Sequence, residues 1–438
     1  MKKVKVVIVG AGSGSFGRAA IADVLASTKL NQKTELKLVL EDVEQAALDR
    51  MYHFSEVLKE YRRVPTRIEA TTDRCQAFCD ADYVITCVAR DRITLWEQDF
   101  YTPLTYGFRH IYGENGGPGA AFHTLRSTHL MMPIIKDVEK VCPQALVLNF
   151  TNPESRICLA VSKLTKLNAI GICHGTQGTC EVASRIMGKS PDDLEFLIGG
   201  INHFHWVLGV KDVTTGMDMM SALDQAIAED ETVVQPLARF LHQTFGRLTF
   251  PFDSHIGEYV GFAYDMIGPK FENYRCRHVR VRETGDGAFL PAWQEIQQVA
   301  DRQAPMTESL AAPTTEAAVP IICAIELDQS ARFAGLNVPN TEKYVSNLPE
   351  DAIVEVPVKV DGNGIHPIKV GSLPEGIAAM CRQQISIQNL LVEAYAERSK
   401  RAFLSALLLE PTVDSPSRAE QMMEELLARQ AAYLPEFT

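Results

Sequence analysis

Short, nearly uninterrupted apolar runs alternate with stretches of helical spacing through roughly the first 170 residues. Val4 to Val9, Leu36 to Leu40, Tyr83 to Val88, Ala145 to Asn149 and Ala169 to Ile172 read as strands. Their continuous hydrophobicity fits strands covered on both faces, not a one-sided antiparallel sheet. Arg18 to Ser27 and Ala120 to Val141 carry the spacing of crossover helices. The pattern predicts an α/β fold built on a Rossmann-type, doubly wound parallel sheet.

Beyond about residue 195 the pattern changes to mixed helices and short strands, Ile353 to Val360 being the clearest strand. Ala304 to Pro320, rich in Pro, Thr and Ala, reads as a connecting loop with some helix. Gln383 to Ala406 and Ser417 to Arg429 read as long helices. A division into a nucleotide-binding unit, residues 1–195, and a C-terminal α+β substrate unit, residues 196–438, is expected, because a single core seldom grows to 438 residues.

Composition narrows the function. A net charge of −12 without any basic run argues against nucleic acid as a partner. No uncharged stretch approaches the ~20 residues needed to span a bilayer. The N-terminal apolar run stops at Gly10, too short for a secretory leader, so a cytoplasmic location is expected. The cysteines lie mostly in apolar segments without a disulfide-like spacing, as small core residues of a reducing compartment do.

Gly10-Ala11-Gly12-Ser13-Gly14-Ser15-Phe16-Gly17 directly follows the first strand and precedes a helix. Glycines there let the backbone turn tightly and approach a pyrophosphate at the helix N-terminus. The spacing departs from the usual fingerprint: with Gly10 and Gly12 as its first two positions, Ser15 takes the third and Gly17 falls two residues later. Gly10, Gly12, Ser13, Gly14 and Phe16 are the candidate contacts. Asp42, ending the second strand, is the candidate acid for the ribose hydroxyls and favours NAD over NADP; Glu41 is the near alternative.

Ala89 to Arg92, Thr151-Asn152-Pro153 and Cys173-His174-Gly175 each follow a predicted strand, and ligands bind at the carboxyl ends of strands in open α/β sheets. Cys173-His174 and Gly200-Ile201-Asn202-His203-Phe204-His205 hold side chains able to ligate a metal, with positions left open for substrate oxygens. Taken alone, a lone Cys and a lone His are more often core or hydrogen-bonded residues than metal ligands.

The ordered set of segments resembles glycoside hydrolase family 4 over nearly the whole chain. The resemblance is carried by the glycine-rich loop, Gly113-Glu114-Asn115-Gly116-Gly117-Pro118-Gly119 with Leu125-Arg126, Asn149 to Pro153, Gly171 to His174, and Gly200 to Phe204. It continues through His255-Ile256-Gly257-Glu258-Tyr259, Asn337 to Asn340 and Leu348 to Pro357. The resemblance implies a fold like that of lactate and malate dehydrogenases, a small-molecule glycoside substrate, and hydrolysis assisted by NAD+ and a divalent metal, usually Mn2+. This family departs from the two-carboxylate glycosidase mechanism. It implies oxidation of the sugar at C3, loss of the C2 proton, elimination of the C1 group, addition of water and re-reduction.

On this resemblance Cys173 and His203 are the metal ligands, Tyr259 is the base at C2 with Tyr264 as its substitute, and Asn152 binds sugar hydroxyls. His174, following the metal cysteine, implies an unphosphorylated α-galactoside, α-glucoside or α-glucuronide and an acid at the leaving group. Arg90, Arg92, His205 and Arg282 are candidates to hold a uronate carboxylate. A homodimer or homotetramer is also implied. A dehydrogenase of a sugar or 2-hydroxy acid shares the fold and cofactor, and a non-catalytic NAD sensor is the other alternative.

Overall fold

The computed structural model describes residues 1–268 and 290–438 of the chain. Eleven strands join in one sheet among the described residues. They are β1 (Lys2–Val9), β2 (Thr34–Glu41), β3 (Arg67–Thr71), β4 (Tyr83–Thr86), β5 (Leu146–Asn149), β6 (Ala169–Gly171), β7 (Leu194–Ile201), β8 (Phe204–Asp212), β9 (Ala331–Pro339), β10 (Ile353–Asp361) and β11 (Gly364–Pro367). Their order is β3-β2-β1-β4-β5-β6-β9-β10-β7-β8, with β11 on β10.

The first six strands pair in parallel in the doubly wound order, with the switch point between β1 and β4. Successive residues of the central strands feed two cores on opposite faces: Val6 and Ile8 enter one, Val7 and Val9 the other. That two-sided burial is why these strands read as continuous apolar runs. At β6 the pairing turns antiparallel, with Gly171 opposite Asn337, and the sheet continues through β9, β10, β7 and β8 without a break at residue 195.

C-terminal helices pack on the N-terminal helices and share their cores. Helix Glu375–Glu397 contributes Ile377, Cys381 and Ile385 to one core and Ile387, Leu391 and Val392 to the other. The long helix expected over Gln383 to Ala406 is two helices, because Arg398 turns left-handed (φ 60°) and the Ser399 side chain caps a new helix, Lys400–Leu409. Residues 304–320 hold a short helix, Glu308–Ala311, and the start of Ala318–Glu326. β3 escaped the sequence reading because it is a partly exposed edge strand, Arg-Ile-Glu-Ala-Thr, with a single buried residue. Among the described residues no helix is long and apolar enough to cross a membrane.

Candidate active site

The carboxyl ends of β1, β4, β5 and β6 form one edge, and backbone-directed hydrogen bonds tie their loops together. Cys87 N donates to Val9 O at 3.0 Å, Val88 N to Thr151 Oγ1 at 3.0 Å, and Ile172 N to Asn149 O at 3.0 Å. Asn149 anchors the middle loop, its Oδ1 accepting from Thr86 Oγ1 and from Thr151 N. Asn152 stands beyond it, partly exposed at the mouth and joined to Pro153 by a cis peptide bond.

On the β1 side, Gly10 turns at φ +84°, and Gly12 N donates to Asp42 Oδ2 at 2.8 Å. A Cβ on Gly12 would lie 2.6 Å from that same oxygen, so the close approach of loop and carboxylate requires glycine. Gly17 would press a Cβ to 2.5 Å from Ala11 O; it, rather than Ser15, does the packing that the third fingerprint glycine normally does. Gly14 faces the Trp293 indole. Helix Phe16–Ala26 begins without a side-chain cap and without an acid in its first turn, and although Arg18 N donates to Ser13 O at 3.0 Å, the helix start suits an anion. The Phe16 ring is exposed on the loop and meets Phe150 at 6.0 Å between centroids, and Ser13 Oγ lies 3.2 Å from Ser15 Oγ. Glu41, unlike Asp42, is buried with an oxygen lacking a partner among the described residues, and burial together with the Asp42 charge raises its carboxyl to about 7.

On the β6 side the sheet brings together two residues far apart in the chain. β7 and β8 form a hairpin whose two-residue turn is Asn202-His203, with His203 left-handed at φ 58°. The turn aims His203 Nε2 at Cys173 Sγ, 3.2 Å away, and Gly175 N donates to the same sulfur at 3.4 Å. Tyr259 stacks on Phe204 and donates its hydroxyl to Asn202 O at 3.1 Å, so it joins this group through the hairpin turn.

Burial keeps every member of the group neutral. It raises the Cys173 thiol, helped by the carboxylates of Glu355 and Glu154, and lowers the His203 imidazole, helped by His255 and His205. It raises the Tyr259 phenol, helped by Glu258. His174 differs: its ring is mostly exposed, and Glu316, 3.4 Å from Nδ1, raises its pKa.

Other candidates are engaged elsewhere. His205 is fully buried, with Nδ1 2.8 Å from Glu355 Oε2 and Nε2 2.8 Å from Thr179 Oγ1, so it holds the sheet together and has no nitrogen to offer a uronate. Arg92 pairs with Glu114 at 3.0 Å, and Arg90 lies over the Tyr433 ring beside Asp91. Tyr264 lies under the Arg109 guanidinium. Arg282 falls outside the described residues.

Four residues belong to the site without having been assigned a role from sequence. His255 stacks edge-on against His203, with centroids 4.7 Å apart. Glu258 accepts from the amides of Glu114 and Asn115, which fixes the glycine-rich segment 113–119 beside Tyr259. Glu316 and Trp293 come from stretches that carry no motif. Among the described residues no three His, Cys, Asp or Glu side chains gather as a metal-binding group, so Cys173 and His203 stand as a pair.

Residues 5–189 match the family 4 glycosyl hydrolases, and residues 198–413 match the C-terminal domain of that family. An alpha-glucosidase of Erwinia rhapontici is 28% identical, with 98% of each chain covered, and an alpha-galactosidase of Bacillus subtilis is 28% identical, with 99% of each covered. A 6-phospho-alpha-glucosidase from gut microorganisms, solved with NAD and Mn2+, superposes with a TM-score of 0.84 over 100% of each chain at 23% identity. A malate dehydrogenase from Plasmodium falciparum shares the fold more distantly, with a TM-score of 0.52 at 13% identity over 90% of this chain and 99% of that one.

Proposed function

The chain belongs to the family 4 glycosyl hydrolases, and from that premise we propose that it hydrolyses an unphosphorylated α-glycoside, with NAD+ at the glycine-rich loop and a divalent metal at Cys173 and His203. The observation that carries this reading is the Cys173–His203 pair at 3.2 Å, with the Tyr259 hydroxyl on the adjoining Asn202 carbonyl.

The residues present suit both groups. An uncapped helix start, the Gly12–Asp42 contact and the absence of acids in the first turn suit a pyrophosphate with an adjoining ribose. A buried neutral imidazole whose Nε2 faces a thiol suits the ligand form of histidine. Glu154 and Glu355 are buried, each with an oxygen unpartnered among the described residues; burial and then Glu355 raise the Glu154 carboxyl, and a cation beside Cys173 would offset the negative charge of such a pair. Manganese is the metal we favour, because the related phospho-glucosidase was solved with it.

A dinucleotide on the glycine-rich loop would supply a reversible hydride acceptor for C3 of the sugar, and a metal at Cys173 and His203 would supply positive charge that acidifies the C2 proton and eases ionisation of the nearby phenol. Tyr259 takes the C2 proton. His174, its imidazole pKa raised by Glu316 and its ring facing solvent, donates a proton to the departing oxygen. Asn152 hydrogen-bonds the sugar hydroxyls, and Arg92, although paired with Glu114, is the candidate for a further substrate contact. We further propose a nucleotide-binding unit of residues 1–195, a C-terminal unit of residues 196–438, a homodimer or homotetramer, and a cytoplasmic location.

An exposed imidazole following Cys173 supports an unphosphorylated sugar, and so do the names of the alpha-glucosidase and alpha-galactosidase relatives. The test is cleavage of paired aryl α-glycosides, with and without a 6-phosphate, in the presence of NAD+ and Mn2+. Faster cleavage of the unphosphorylated members, lost when either addition is withheld, is expected. A preference for the phosphorylated members contradicts the substrate assignment, and turnover without cleavage of the glycosidic bond would favour a dehydrogenase.

A further inference from the structure

Helix Leu290–Ala300 lies far along the chain from the glycine-rich loop, yet it packs on helix Gln45–Arg62, which follows β2. Its Ile296 and Val299 are fully buried. Arg50 Nε donates to Gln297 Oε1, and just past the helix Arg302 grips the Glu60 carboxylate with bonds of 2.9 and 2.6 Å. The docking sets the Trp293 indole against Gly14, where a Cβ would lie 2.6 Å from the indole Cε2. The Arg50 guanidinium lies over the indole ring, 4.9 Å from its centroid.

The contact accounts for the extra glycine in the loop. Gly12 is small because of Asp42 and Gly17 because of Ala11 O; Gly14 is small because of Trp293. A loop this rich in glycine loses much conformational freedom on ordering, and a ligand that must order it binds more weakly. An indole clamped by a helix and a guanidinium orders it beforehand.

We propose that Trp293 is a positioning residue for the dinucleotide: the C-terminal half of the chain uses it to hold the glycine-rich loop in its ligand-accepting shape and so sets the affinity for NAD+. This rests on the reading of the loop as the NAD+ site.

The experiment is calorimetric titration of NAD+ into wild type, Trp293→Ala, Trp293→Phe, Gly14→Ala and the double variant Gly14→Ala/Trp293→Ala, with Mn2+ titrations and melting curves alongside. Trp293→Ala and Gly14→Ala are each expected to weaken NAD+ binding about tenfold, from the order of magnitude of one lost ordering contact. Trp293→Phe should recover most of the loss. Mn2+ affinity should stay unchanged throughout, which a general loosening of the fold would not allow. The double variant should bind no worse than Trp293→Ala, because the methyl added by Gly14→Ala then meets an empty space. Wild-type affinity in Trp293→Ala, or losses that add in the double variant, overturn the proposal. Should Trp293→Ala not fold, Gly14→Ala and Trp293→Phe read the same contact from its other side, and wild-type affinity in Gly14→Ala overturns it equally. A wild-type chain that binds no NAD+ overturns the dinucleotide reading, and this proposal with it.

Discussion

Cys173 Sγ and His203 Nε2 face each other at 3.2 Å although 30 positions separate them in the chain. Two devices achieve this: the end of β6 and the turn between β7 and β8. The turn forces His203 into a left-handed conformation that a β-branched or bulky residue adopts only under strain.

Cys173→Ser and His203→Gln should each weaken Mn2+ binding by more than about 100-fold, since a lost ligand costs at least what a lost supporting partner does. Hydrolysis should vanish in both, while NAD+ binding and the melting temperature without metal stay near wild type. Metal titration followed by calorimetry checks this, and unaltered Mn2+ affinity in either variant contradicts the assignment.

Asp42 accepts from the Gly12 amide and stands where a ribose hydroxyl is expected. Asp42→Ala removes an acceptor for the 2′-hydroxyl and a charge that repels a 2′-phosphate. The ratio of NADP+ to NAD+ affinity should rise about tenfold or more. Competition binding with the two dinucleotides measures it, and an unchanged ratio shifts the role to another residue.

Glu41 gives the clearest pH effect. Burial, then the neighbouring Asp42 charge, raises its carboxyl from 4.5 to about 7 in the folded chain. Between those values the folded state holds a proton that the unfolded state has lost, so this group's contribution to stability falls as pH rises through that window. Glu41→Gln abolishes the loss. Its advantage over wild type should be on the order of 3 kcal/mol at pH 8 and shrink toward zero below pH 5. Urea unfolding at both pH values, without cofactors, tests this; an advantage independent of pH is the contrary result.

His205 bridges Glu355 and Thr179 in the interior. His205→Leu leaves a buried carboxylate without its partner and should cost about 3 kcal/mol of stability. Discrimination between neutral glycosides and uronides should not change. Chemical denaturation and paired substrate assays separate the two effects.

The doubly wound core was legible because its strands are buried on both faces and so appear as unbroken apolar runs, as at Val4 to Val9. The placement of Asn152 and Cys173 at the carboxyl edge of the sheet was legible because both closely follow such runs. What escaped depends on contacts between distant segments. Nothing local marks Trp293 as the neighbour of Gly14, Glu316 as the partner of His174, or Glu258 as the clasp of the Glu114 loop. His205 looked available beside His203, but strand alternation sends it inward to Glu355. The break at Arg398 escaped because helical spacing resumes in register beyond it.

On the proposed mechanism Tyr259 removes the C2 proton of the sugar during cleavage of the glycosidic bond. Hydrolysis of an unphosphorylated aryl α-glycoside in deuterium oxide, with NAD+ and Mn2+, followed by NMR of the released sugar, tests it most directly. Deuterium at C2, proton retained at C3, and loss of both turnover and exchange in Tyr259→Phe are expected. Hydrolysis that leaves C2 protonated, or that proceeds at the wild-type rate in Tyr259→Phe, would contradict it.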